Sequence, residues 1–110
     1  MRKVLYSPGF GAGWTTWHHG TTEEKRFMLE HAGLIEAVER GEETGEGSTA
    51  LRQFVQDFEA AFPDSRAGVP YLGGADSLVV HVAADGQRVR VEEYDGSESV
   101  VNEGDDEGWL

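Results

Sequence analysis

Leu51, Phe54, Val55, Phe58 and Phe62 recur at intervals of three and four residues, and Pro63 then ends the series. That spacing lines five large apolar side chains along one face of a helix, which must be buried against something, and Ser48 supplies the cap at its start. Beyond Pro63 the period falls from about 3.6 to about 2: Val80 and Val82 alternate with Val79 and His81, then Val89 and Val91 alternate with Arg88, Arg90 and Glu92. A chain that changes period in this way has to pack a helix on a sheet. The dipeptides Asp85-Gly86 and Asp95-Gly96 tolerate the positive φ of tight hairpin turns, so an antiparallel meander of three strands is expected from Leu78 to Val101.

The first third adds one strand and two helices. Arg2–Tyr6, RKVLY, is a short apolar run stopped by Ser7-Pro8-Gly9. Thr21 with Glu24 three residues on is a capping-box signature, which predicts a helix over Thr22–Ala32 closed by Gly33. Leu34–Arg40 continues as a second short helix, and Gly41–Gly47 is an acidic loop with no core-forming residue. A lone N-terminal strand cannot bury its own face, so it is expected to join the C-terminal meander. The expected fold is a single α+β domain over residues 1–110 with the helices packed on one face of the sheet, and Trp14 and Trp17 covering the edge of the core.

The chain has 110 residues, enough to bury about two thirds of its unfolded surface without metal or disulfide support. It contains no cysteine, which excludes disulfides, thiolate metal sites and cysteine nucleophiles. No apolar run approaches the roughly 20 residues of a membrane span, and MRKVLYS is too short and too quickly followed by glycine for a signal peptide, so a cytoplasmic protein without membrane contact is expected.

Charge is distributed unevenly. Against 21 acids stand 9 bases, a formal net charge of −12. Residues 1–22 hold no acid, whereas Glu23–Asp64 has eleven acids to four bases and Asp85–Leu110 nine to two. Nucleic acid and anionic lipid repel such a polyanion and basic protein surfaces attract it, so direct nucleic-acid binding is not expected.

The non-acidic island contains SPGFGAGWTTWHHG, Ser7 to Gly20. Between a strand and a helix, Gly9, Gly11 and Gly13 could offer N–H groups to an anion while Trp14 or Trp17 stacks a ring. Both nucleotide-loop motifs fail on their defining residues, since Trp14 stands where the dinucleotide fingerprint wants its third glycine, and no lysine lies between Lys3 and Lys25. An architectural corner is the first reading of this stretch and a ligand loop the second. Adjacent His18 and His19 point in different directions in any regular element and, with His31 and His81, show no metal-ligand spacing. They are read as surface or helix-start residues, and His81 as part of a half-exposed strand face. Ser7 and His18 could nominally pair as nucleophile and base, but nothing orients them, and no catalytic residue, metal or cofactor is expected.

KVLYSPGFGAGWTTW at the N-terminus, with YLGGADSLVVHV and RVRVEEYDGSESV near the C-terminus, resembles a group of small proteins encoded by bacteriophages and prophages. The resemblance covers about half of the chain. It implies a phage accessory protein in the bacterial cytoplasm and assigns no chemistry. With the charge, it leads to the expectation of a non-enzymatic inhibitor or modulator of a host nucleic-acid-binding protein, of an anti-CRISPR kind, contacting a basic surface through Glu92, Glu93, Tyr94, Asp95 and Glu98. The alternatives are a nucleotide-sequestering module built on Gly9, Gly11, Gly13, Trp14 and Trp17, and a structural protein that self-associates through strand edges.

Overall fold

A computed structural model describes residues 1–9, 13–102 and 110. Strand β1 (Arg2–Tyr6) leads to a 3-10 turn (Thr15–Trp17), helices α1 (Thr22–Glu30), α2 (Ala32–Glu39) and α3 (Thr49–Ala61), a second 3-10 turn (Ala75–Ser77), and strands β2 (Val79–Ala83), β3 (Val89–Tyr94) and β4 (Ser97–Asn102). β1 pairs antiparallel with β2, from Arg2 opposite Ala83 to Tyr6 opposite Val79, and β3 pairs antiparallel with β4, from Val89 opposite Asn102 to Tyr94 opposite Ser97. The α+β fold expected from the change of period is the one formed.

Consecutive side chains of a strand point to opposite faces. In β1 this places Leu5 in a larger core with Trp14, Met28, Leu34, Leu51, Phe54 and Phe58, and Val4 in a smaller one with Leu29, Ala83, Val89 and Leu110. The first strand is thus buried on both faces and joins the two cores. The α3 stripe lies in the larger core as its spacing demands. Phe54 meets Trp14 at a centroid distance of 5.1 Å and Phe27 at 6.0 Å, and Phe58 meets Phe62 at 5.1 Å. Fully burying side chains of this size contributes about 1.5–3 kcal/mol each, and α3 ends at Ala61 with Phe62 as its C-cap, ahead of Pro63.

Two expectations are corrected. The meander is divided: β2 and β3 belong to separate two-stranded sheets. Asp85-Gly86 does form a turn, with Gln87 N donating to Ala84 O at 3.0 Å, but the hydrogen-bonding groups of Val89 go to Leu110 instead, in bonds of 3.2 and 2.7 Å. Arg2 explains the divergence. Its guanidinium donates to Gln87 O at 2.8 Å and to Leu110 O at 2.9 Å, so it occupies the space between the two sheets.

The first helix, in turn, does not run to Ala32 and stop at Gly33. It breaks at His31, whose ψ of 113° is extended, and Gly33 lies inside α2. His31 Nδ1 accepts from Leu34 N at 3.1 Å, capping the second helix as Ser or Asn would, while Nε2 meets Asp57 on α3 at 2.8 Å. The Ser48 cap forms as expected, accepting from Leu51 N at 3.2 Å. At the last hairpin Asp95 and Gly96 have φ of 52° and 78°, the paired positive values of a tight two-residue turn. Among the described residues no helix is long and apolar enough to cross a membrane.

Candidate functional site

Glu98 reorganises the reading of the glycine stretch. It sits one residue into β4 on the same face as Val100, which packs against the smaller core, and it is only 2% exposed. Oε1 accepts from Ser7 N at 2.9 Å. Oε2 accepts from Trp14 N at 2.7 Å, Thr16 N at 3.0 Å and Thr16 Oγ1 at 2.6 Å. The backbone of β4 adds Glu98 N to Ser7 O at 2.8 Å. N–H groups flanking the glycines do hold an anion, as that chemistry allows, and the anion is the chain's own carboxylate. Gly13 has no side chain because a Cβ would lie 3.0 Å from Glu98 Oε2 and 2.6 Å from Thr16 Oγ1.

The residues expected to form a ligand loop therefore separate. Gly9 lies against Ser77, where a Cβ would meet Oγ at 2.7 Å. Gly11 lies outside the described residues. Trp14 is fully buried rather than at the edge of the core, with Nε1 donating to Met28 O at 3.0 Å. Trp17 alone among the candidate ring-stackers reaches the surface, half-buried against Tyr71 at a centroid distance of 5.3 Å.

The expected partner-binding set divides too. Glu92, Glu93, Tyr94 and Asp95 are exposed, Tyr94 at 81%. Glu92 carries an ion pair to Arg90 at 2.8 Å, and Glu93 Oε1 accepts from Gly96 N at 2.5 Å, which stiffens the turn. Glu98 is corrected: it cannot contact a partner from its buried position. It stands directly opposite Glu93 in the ladder, a like-charge pairing that is tolerated because the loop donors converge on Glu98.

A second polar cluster is buried, and it includes His18, expected at the surface or at a helix start. His18 is 3% exposed, and its Nε2 lies 2.7 Å from Glu24 Oε1, which also accepts from Ser65 Oγ at 2.9 Å. Thr21 Oγ1 accepts from Glu24 N at 3.1 Å and donates to Oε2 at 3.3 Å. Burial raises the Glu24 carboxyl, but hydrogen bonds from His18 and Ser65, the charge of His18 and the Thr21 hydroxyl outweigh it, so the group lies below its ordinary value. Gly20 passes so close that a Cβ would run into both Glu24 and His18. His18 is therefore committed to Glu24 and not to Ser7, whose N–H and C=O both engage Glu98. The Asp57 carboxyl also lies below its ordinary value, held there first by His31 and then by Gln53.

Of these features the capping box at Thr21 pointed toward Glu24, but His18 and Ser65 carry no sequence signal that would bring them to it. Glu98 did have one: it shares the alternation parity of Val100, the parity of an inward face. Among the described residues no group of three or more histidines and carboxylates could hold a metal ion. Comparison of the chain with family models, curated proteins and solved structures finds no match.

Proposed function

We propose that this protein is a non-enzymatic binding protein that presents the β3–β4 hairpin tip to the basic, nucleic-acid-binding surface of another protein, as a phage-encoded modulator of host defence of the anti-CRISPR kind would. The observation that carries the reading is Tyr94: a large aromatic side chain 81% exposed at the end of a rigid two-residue turn, with Glu92, Glu93 and Asp95 beside it and no part in either core. An aromatic anchor within a ring of like charge is the arrangement expected of a contact surface that meets positive charge, because the charges steer the encounter and the ring supplies desolvated area. The net charge of −12 extends the same field over the molecule. The phage-like end motifs fit this reading, and it needs no catalytic group.

The test is capture from bacterial lysate on the immobilised protein, followed by elution with salt and with competing DNA. Expected is the recovery of nucleic-acid-binding proteins that both eluents release and that Tyr94→Ala, or Glu92→Gln with Glu93→Gln and Asp95→Asn, no longer retains. Equal recovery on the parent and on both variants refutes the reading.

A further inference from the structure

We propose that the cleft between Trp17 and Tyr71 is a binding site for a small planar anion of the nucleoside monophosphate class. The cleft, of about 420 Å³, is lined by Trp17, His18, His19, Arg66, Val69 and Tyr71, a volume within the ordinary range of small-molecule sites. Its lining shares no residue with the hairpin set Glu92–Asp95, so substitutions can address the two surfaces separately.

Four observations converge on it. The first is aromatic. Trp17 and Tyr71 form a tilted pair with 31° between their planes, and Tyr71 is still 53% exposed, leaving ring surface for a third planar group. The second is charge. Three other clefts each include at least one carboxylate in their lining, Glu30, Glu46 and Glu59 among them, whereas this one includes none although the chain carries 21 acids.

The third is a cation left over. Arg2, Lys3, Arg40 and Arg90 are engaged by carboxylates, while exposed Arg66, like Lys25, Arg26 and Arg52, has no hydrogen bond or ion pair among the described residues, and of these four it is the one that lines this cleft. A guanidinium of this kind is a two-pronged donor for phosphate or carboxylate oxygens, and His19 beside it adds a further donor when charged. The long-range repulsion of the acidic surface is screened beyond about 8–10 Å at physiological ionic strength, so the local charge decides.

The fourth is His18. It is 97% buried by its 3% exposure, it contributes to the cleft wall, and its Nδ1 has no partner among the described residues. Glu24 Oε1 takes Nε2, which leaves Nδ1 as the ring nitrogen not engaged by any described residue. A ring nitrogen left over on a wall residue beside two aromatic rings suits a polar edge of a nucleobase. The ligand's ring covers Tyr71 and the edge of Trp17, its polar edge meets His18, and its anionic group meets Arg66.

Titration with adenosine 5′-monophosphate and guanosine 5′-monophosphate, followed by tryptophan fluorescence and by calorimetry, tests this directly. Expected is saturable binding of at least one of them that weakens about tenfold in Arg66→Gln, the loss of one charge-assisted contact. The matching nucleoside should bind about tenfold more weakly to the parent and with the same affinity to Arg66→Gln. Tyr71→Ala should remove binding. Both substituted residues are exposed, so circular dichroism of the variants should match the parent. Absence of saturation up to millimolar nucleotide overturns the proposal, as does binding that Arg66→Gln and Tyr71→Ala leave unchanged. The hairpin substitutions should leave nucleotide affinity where it is, whatever becomes of protein capture.

Discussion

Replacing Glu98 by glutamine keeps the shape of the side chain and removes one acceptor oxygen together with the charge. In the parent, Oε1 takes the Ser7 N–H and Oε2 takes the Trp14 N–H, the Thr16 N–H and the Thr16 hydroxyl. A glutamine does best with its oxygen where three donors converge, and its amide NH2 then faces the Ser7 N–H, donor against donor. One buried N–H orphaned in this way costs about 1–3 kcal/mol, and three charge-assisted bonds reduced to neutral ones lose about 1 kcal/mol each. Relief of the desolvation of a buried charge returns part of this. A net loss of about 2–4 kcal/mol follows, a large share of the about 5–15 kcal/mol that holds a domain together. Urea denaturation followed by circular dichroism should show the midpoint fall with the slope unchanged. The control is Glu93→Gln on the same face of the ladder, an exposed position that should change stability by less than about 0.5 kcal/mol. If Glu98→Gln proved as neutral as the control, Glu98 would not be holding the loop, and its burial would need another cause.

Acid should act through Glu24. Its carboxyl lies below the ordinary glutamate value of 4.5 in the folded chain, so its contribution is complete above that value and is lost as the pH falls through the folded value, where the native state must take up a proton. Urea midpoints at pH 7, 4 and 3 should therefore decline more steeply for the parent than for Glu24→Gln, and parallel curves would refute the assignment. His31→Ala should destabilise by about 1 kcal/mol or more through the lost cap of α2, with His31→Asn recovering much of it because asparagine also accepts from the Leu34 N–H; equal midpoints for the two variants in urea would count against the cap.

The architecture was legible where a single local pattern settles it. The α3 stripe, its Ser48 cap, the Asp95-Gly96 turn and the two flanking strands all follow from period and turn chemistry within a few residues. What escaped involves partners distant in sequence. Glu98 is separated from Trp14 by 84 residues, and nothing near it distinguishes a carboxylate bound by a loop from three neighbouring acids exposed at a hairpin tip except its parity with Val100. His31 was hidden differently: histidine is an uncommon helix cap, and a following glycine is the more familiar stop signal. The sheets divided because Arg2 and Leu110, from opposite ends of the chain, take the groups that would otherwise pair β2 with β3.

The Glu98 contact also determines how the two proposed surfaces can be examined. β4 carries Glu98 three residues after Asp95 and opposite Glu93, so the hairpin is tied to the loop donors close to its turn; on the other side, Thr16 is bonded to Glu98 and precedes Trp17, the wall of the cleft. A substitution at Glu98 should loosen both surfaces together and would weaken protein capture and nucleotide binding without telling one from the other. Exposed side chains that bond to nothing in the lock separate them: Tyr94 changes the hairpin contact alone, and Arg66 the cleft alone. If the two losses then appear independently, each surface acts by its own chemistry on a shared rigid frame; if Tyr94→Ala also weakens nucleotide binding, the frame is coupled through Glu98, and Glu98→Gln should abolish that coupling.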